Sequence, residues 1–208
     1  MALEKNHSTC MALLNMIDYI SNELNNNNHS IGVFIDLSKA FDTIDHSLLL
    51  KKLKPYGMRG TALSWFTGYF TNRFQYVFIG GNNSSYLQIR CGVPQGSILG
   101  PLLFIVNIND IINCSKAAIL IMFADDTHLF FKQKNLKTLY KHVNIELQKI
   151  SSWFMQIKLS LNVRKTNCIL FTSNRQKIDT RNLVIKIDDI IIEYLKKTKF
   201  LGVIITQN

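Results

Sequence analysis

"AAILIMFADDTHLFF", residues 117–131, sets two adjacent carboxylates, Asp125 and Asp126, between two apolar runs with no Lys or Arg among them. An apolar run, a short acidic break and a second apolar run read as strand, tight turn, strand. Two such anions ~4 Å apart repel by about 4 kcal/mol at an effective dielectric near 20. Something must offset that cost. A solvated turn, a helix cap at Asp126 or one protonated carboxyl would each do so, and the stretch taken alone favours the turn.

A third acid changes the balance. "IGVFID", residues 31–36, is a continuous apolar run ending in Asp36, as a central strand buried on both faces reads. If that strand neighbours the one before Asp125, then Asp36, Asp125 and Asp126 converge at one sheet edge. Three carboxylates without nearby cations call for a divalent metal. Oxygen ligands with no His/Cys cluster favour Mg²⁺ or Mn²⁺ over zinc. A pair of such ions suits an in-line phosphoryl displacement. Strand adjacency is the assumption in this chain of reasoning.

Outward from these runs, Leu13, Ile17, Ile20 and Leu24 recur at helical spacing and stop at "NNNN", residues 25–28. Residues 45–71 read as two helices broken at "KPYGMRG". "QYVFIGGNNSSYLQIR" reads as a hairpin. "CGVPQGSILGPLLFIVNINDII" reads as a glycine-flanked loop feeding an apolar helix that starts near Ser97, where Pro101 is tolerated. Leu136, Leu139, Val143, Leu147, Ile150, Phe154 and Ile157 mark the clearest amphipathic helix, and "KTNCILF" and the tail from Leu183 to Ile205 return to short strands. The order predicts an α+β fold, a sheet with helices on one face.

Composition bounds the rest. With 208 residues and 47% hydrophobic content, the chain can bury a sizeable core. Cys10, Cys91, Cys114 and Cys168 lie far apart without a CxxC pair, which suggests buried thiols in an intracellular protein rather than a zinc site or disulfide framework. The apolar runs are shorter than a membrane span, and the N-terminus lacks signal-peptide character; a location in the cytoplasm or nucleus follows. The net charge of +10 is uneven: residues 1–126 hold nine Lys/Arg and nine Asp/Glu, residues 127–208 fifteen and five. Such an excess suits a polyanionic partner, or a solvated lysine-rich face.

"GVFIDLSKAFDTIDH" (32–46), "CGVPQGSILGPLLFIVNINDI" (91–111), "MFADD" (122–126), "LSLNVRKTNCILF" (159–171) and "KFLGV" (199–203) occur in the order and spacing of successive blocks of a reverse transcriptase palm. Over residues 5–208 the chain resembles the reverse transcriptase of non-LTR, LINE-type retrotransposons of the broad jockey-like kind. Group II intron, retron and retroviral enzymes are less similar. The resemblance implies a polymerase palm, an antiparallel sheet backed by helices, over residues 31–208, preceded at 1–30 by the last helix of a fingers region. The start of the fingers, the thumb and an endonuclease domain lie outside the sequence, so it reads as a palm-centred part of a longer element protein or a remnant of one.

The resemblance also implies roles. Asp36 and Asp125 hold two Mg²⁺ ions, Mn²⁺ being an alternative, with Asp126 a weaker participant and the carbonyl of Leu37 completing the shell. Phe41 packs beneath the incoming sugar and excludes a 2′-hydroxyl. Gln95 and Gly96 lie against the nucleotide and templating base. Lys165 protonates the leaving pyrophosphate. Leu201 and Gly202 belong to the hairpin that grips the primer. The implied partners are an RNA template, a DNA primer and deoxynucleoside triphosphates, with no membrane. Asp45 reads as a helix cap, Asp42 as structural or nucleotide-proximal, and His46 as a hydrogen-bonded structural histidine. A non-catalytic nucleic-acid-binding remnant is the competing reading, and a ribonucleotide polymerase a third that Phe41 argues against.

Overall fold

In the computed structural model, residues 9–123, 126–173 and 183–207 are described. In chain order the elements are α1 (Thr9–Asn25), β1 (His29–Ile35), β2 (Leu37–Ser38), α2 (His46–Leu53), α3 (Gly60–Phe70), β3 (Phe74–Gln75), β4 (Phe78–Ile79), β5 (Asn82–Asn83), β6 (Leu87–Gln88), α4 (Leu99–Ile108), a 3-10 turn (Asn109–Asn113), β7 (Ile119–Phe123) and β8 (Asp126–Gln133). They continue as α5 (Leu136–Gln156), β9 (Ser160–Leu161), β10 (Asn167–Phe171), β11 (Lys186–Ile187), β12 (Ile190–Ile191), β13 (Glu193–Tyr194), β14 (Lys197–Phe200) and β15 (Val203–Thr206). They divide into two compact units, residues 39–109 with 157–159 forming one and the remaining segments the other.

The larger unit is built on a five-stranded sheet in the order β13, β10, β1, β8, β7. β1 lies between β10 and β8 and is antiparallel to both, which accounts for its continuous apolar character: it has no solvated face. β7 and β8 pair from Ile119 opposite Phe130 to Phe123 opposite Asp126, so the strand, turn, strand reading of residues 117–131 is realised in the described residues on both sides.

Strand alternation separates two cores. Phe34, Phe130, Ile169 and Phe171 cluster with Met16 and Ile20 of α1 and Phe200 of β14. The alternate residues Val33, Leu129 and Cys168 are buried on the other face, toward α5, whose buried stripe Leu139, Val143, Leu147, Ile150 and Phe154 is the one the spacing predicts. Helices therefore cover both faces, where the element order alone predicted one. α1 also turns differently. It buries Met16, Ile20 and Glu23 and leaves Ile17 49% exposed. Glu23 tolerates burial because the Lys132 ammonium lies 2.6 Å away and the Asn28 amide donates at 2.7 Å.

The smaller unit packs α2 against α3 and α4 and carries the β3 to β6 hairpin. α4 begins at Leu99, two residues after the predicted Ser97; Ser97 Oγ instead accepts from the Gly100 amide at 2.9 Å and donates to the Pro94 carbonyl at 2.8 Å. Pro101 consequently falls in the first turn, where its missing N–H costs no helical bond.

The cysteines depart from expectation: Cys10 and Cys91 are exposed, Cys114 is half-buried and only Cys168 is fully buried, all four as free thiols. Burial pushes the Cys168 thiol up to about 12, so thiolate is scarce near neutrality. Native protein treated with iodoacetamide at pH 8 should therefore be alkylated at Cys10 and Cys91 and spared at Cys168, with Cys168 labelled only after denaturation. Peptide mass spectrometry reads the difference, and equal native labelling would contradict the placement.

Candidate functional site

Two ladders meet at the end of β1. Against β8 the last rung pairs Ile35 with Thr127, and against β10 the register runs to Phe34 opposite Asn167. Asp36 and Asp126 are the next positions beyond the β8 ladder; the β10 register does not continue, because Leu37 pairs with Leu161 and the Asp36 carbonyl accepts from the Asn162 amide. Positions of equal parity on paired strands share a face, so the register carries Asp36 and Asp126 toward the face of Phe34 and His128. Asp126 opens β8 and is exposed, Asp36 is half-buried, and Lys165 is exposed on the turn before β10. Asp125 lies outside the described residues.

The backbone of Asp36 is held from both sides by that same turn. Its amide donates to Thr166 Oγ1 at 3.2 Å, and its carbonyl accepts from the Asn162 amide at 2.9 Å. The turn is itself closed on the Asn162 carbonyl by the amides of Lys165 and Thr166. Just beyond, Leu37 pairs with Leu161 and Ser38 with Ser160. Asn162 and Thr166 thus position the carboxylate-bearing residue. Sequence reasoning missed them, although both lie inside the "LSLNVRKTNCILF" block; Thr166, at 1% exposure, is a buried hydroxyl in a turn.

On the preceding row His128 stands beside Phe34, with ring centroids 5.0 Å apart, and beside Phe200 at 4.7 Å. Burial pushes the imidazole down to about 4, so it is neutral near pH 7. Phe200 precedes the turn of the β14–β15 hairpin, in which Leu201 and Gly202 both have positive φ, +46° and +88°. That is the pattern of a two-residue type I′ turn. The hairpin predicted to hold a primer is therefore anchored on the row next to Asp36.

In the smaller unit the "FDTIDH" and "GVPQG" segments are laced together. The Val93 amide donates to the Phe41 carbonyl and the Gly92 amide to the Ile44 carbonyl, both at 2.8 Å, and Gln95 Nε2 donates to Asp42 Oδ1 at 3.0 Å. Gly92 is required there: its φ is +85°, and a Cβ would sit 2.7 Å from the Asp42 carbonyl oxygen. Phe41 packs on Phe104 with centroids 4.9 Å apart. Gln95 and Gly96 are both exposed, Gly96 with φ of +79°. His46 is held by its Nε2 contact of 2.7 Å to the Gly92 carbonyl and by stacking on Phe70, in keeping with a structural role.

Asp45 caps α2, accepting from the Leu48 amide at 2.9 Å, and pairs with Lys158 at 2.6 Å. The Lys158 contact, then the Ser47 hydroxyl, hold its carboxyl well below the usual carboxylate range. A carboxyl depressed by folding contributes stability that is complete above its unfolded pKa, about 3.9, and is lost as pH falls through the folded value. The urea midpoint should fall between pH 5 and pH 2.5 by less in Asp45→Ala than in the unsubstituted protein, and parallel pH profiles would contradict this assignment.

Among the described residues, which do not include Asp125, no group of three His, Cys, Asp or Glu side chains closes on a metal position. The donor chemistry of Asp36 and Asp126, hard carboxylate oxygens at a solvent-accessible sheet end, fits Mg²⁺ or Mn²⁺. No helix among the described residues is long and apolar enough to cross a membrane.

The family profile described as "Reverse transcriptase (RNA-dependent DNA polymerase)" matches residues 1–205. A probable RNA-directed DNA polymerase from transposon BS of Drosophila melanogaster is 27% identical over 95% of this chain and 22% of its own length. The RNA-directed DNA polymerase from mobile element jockey of the same species is 27% identical over 80% of this chain and 19% of its own. The chain thus spans about a fifth of the length of these relatives. In fold, a telomerase from Candida tropicalis in complex with a fragment of telomeric RNA superposes with a TM-score of 0.62 at 14% identity, covering 88% of this chain and 34% of that one. With the palm-type sheet, the ordered motif blocks and relatives from non-LTR elements in agreement, the chain belongs to the reverse transcriptase (RNA-dependent DNA polymerase) family.

Proposed function

We propose that this chain is the palm of an RNA-directed DNA polymerase, extending a DNA primer on an RNA template with deoxynucleoside triphosphates. What supports the reading is that β1 and β8 are antiparallel neighbours whose last rung, Ile35 opposite Thr127, leaves Asp36 and Asp126 as the adjoining positions of the two strands. With Asp125, adjacent in the chain, they are the residues to hold two Mg²⁺ ions, and the Leu37 carbonyl is a further ligand. Bound divalent ions supply activation of the attacking hydroxyl and charge stabilisation on the departing phosphate.

The chain's own groups do the rest. The primer 3′-hydroxyl gives up its proton to water, its oxygen bonds to the α-phosphorus, the bond from that phosphorus to the bridging oxygen breaks, and pyrophosphate leaves. Lys165, in the turn that holds the Asp36 backbone, donates a proton to that leaving group. Phe41, braced by Phe104, discriminates against a 2′-hydroxyl. Gln95 and Gly96 lie against the nucleotide, and Leu201 and Gly202 at the tip of the β14–β15 hairpin seat the primer end. Such a reaction belongs in the cytoplasm or nucleus.

The test is Mg²⁺-dependent primer extension on RNA, by the chain alone and by the jockey polymerase carrying this chain in place of its matching segment. Extension that requires deoxynucleotides and Asp36 supports the reading. A chimera that folds and binds RNA but gives no extension overturns it. That second outcome matches a non-catalytic nucleic-acid-binding remnant, which the excess of fifteen Lys/Arg over five acids in residues 127–208 also suits.

A further inference from the structure

The even charge balance of residues 1–126 conceals a strongly polarised stretch. Between Asp45 and Asp110, residues 46–109 contain Lys51, Lys52, Lys54, Arg59, Arg73 and Arg90 and no Asp or Glu. Two of these cations, Arg73 and Arg90, line a cavity of about 870 Å³ in the smaller unit together with Gln75, Gln88 and Gln95. The one carboxylate on its wall, Asp42, accepts a hydrogen bond from Gln95. Such a surface recognises an anion flanked by amide donors and acceptors.

The hairpin that forms one side of this cavity continues outward as an aromatic platform. Phe74 pairs with Gln88 and Gln75 with Leu87, so the next rung sets Tyr76 opposite Tyr86, on the face that carries Gln88. The two tyrosines touch, with centroids 4.7 Å apart, and are 48% and 63% exposed. Phe74, Phe78 and Ile79 beside them are more than half exposed. A β-hairpin that presents aromatic faces to solvent beside arginines, in a stretch devoid of acids, has the composition of a single-strand nucleic-acid surface: bases stack on rings and phosphates meet guanidinium groups.

We infer that the β3–β6 hairpin and the Arg73/Arg90 cavity form a binding surface for single-stranded RNA, with bases on the Tyr76/Tyr86 platform and the phosphodiester backbone at the arginines. Identifying that strand as the template rests on the polymerase reading; the binding surface itself does not.

The experiment is fluorescence anisotropy of a labelled, unstructured 20-nucleotide RNA with the 208-residue chain, without Mg²⁺ or nucleotides, at several salt concentrations. Arg73→Ala with Arg90→Ala is expected to weaken binding about tenfold or more and to flatten the slope of log affinity against log salt by about 1.4, the loss of two single-strand phosphate contacts. Tyr76→Ala with Tyr86→Ala is expected to weaken binding by tenfold or more at unchanged slope. All four residues are at least partly accessible, and circular dichroism confirms folding of each variant. Unchanged affinity in both double variants overturns the inference and leaves the exposed hairpin as a protein-docking surface. Equal losses for duplex RNA overturn its single-strand character. RNA binding that depends on these four residues, in a protein that gives no synthesis even with Asp36 intact, rejects the polymerase reading alone.

Discussion

Asp36→Asn, in whichever form of the protein supports synthesis, lowers Mg²⁺-dependent extension of a primed RNA template about a thousandfold while leaving the fold intact. The amide keeps the size of the carboxylate, and the backbone contacts that fix this residue, to Thr166 Oγ1 and the Asn162 amide, do not involve the side chain. What changes is charge. A metal-stabilised transition state is worth several kcal/mol, and each ~1.4 kcal/mol is a factor of ten in rate. The same change at Asp126, on the facing strand, should cost less if it is the weaker ligand, and its ratio to the Asp36 loss ranks the two. Extension by Asp36→Asn within threefold of the unsubstituted rate would remove this residue from the chemistry.

Phe130→Ala destabilises the chain by about 3–5 kcal/mol, the usual cost of removing a fully buried phenylalanine. Phe130 has no solvent exposure and sits edge-on to both Tyr19 and Phe34, with centroids 6.3 and 6.0 Å apart. Its ring fills the space that Gly32 leaves on β1: a Cβ at Gly32 would lie 2.8 Å from Phe130 Cε1. The cavity therefore opens at the centre of the sheet, where α1 and two strands have little freedom to collapse. Urea denaturation measures the loss, and a shift below about 1 kcal/mol would mean that α1 does not pack on this face. A protein weakened this far is expected to lose synthesis through loss of folded molecules, unlike Asp36→Asn, so the two substitutions separate stability from chemistry.

Much of this arrangement was legible in the sequence because periodicity and parity are local. The stripe from Leu139 to Phe154 could face only one way, and a run such as "IGVFID" has no polar side to give to solvent. α1 was harder. Leu13, Ile17, Ile20 and Leu24 form one acceptable stripe, but Met16, Ile20 and Glu23 form another, and the second became the buried one because Lys132, more than a hundred residues away, neutralises Glu23. The clamp on Asp36 was hidden for the same reason: Thr166 and Asn162 meet it only after β1 and β10 have paired. The hairpin of residues 74–88 was visible as a hairpin, but its break was not. The register shifts by one between Gln75 opposite Leu87 and Phe78 opposite Asn83, an offset that turn residues alone do not specify. Charge counted over long segments likewise averaged away the acid-free stretch at 46–109.

The central claim is that carboxylates from separate strands share one face at the end of β1 and hold divalent cations there. Anomalous diffraction from crystals of this chain grown with Mn²⁺ tests it most directly. The account predicts a manganese peak within coordination distance of carboxylate oxygens from both Asp36 and Asp126, abolished in Asp36→Asn. Carboxylates on opposite faces of the sheet, or no manganese between them at saturating concentration, would contradict it.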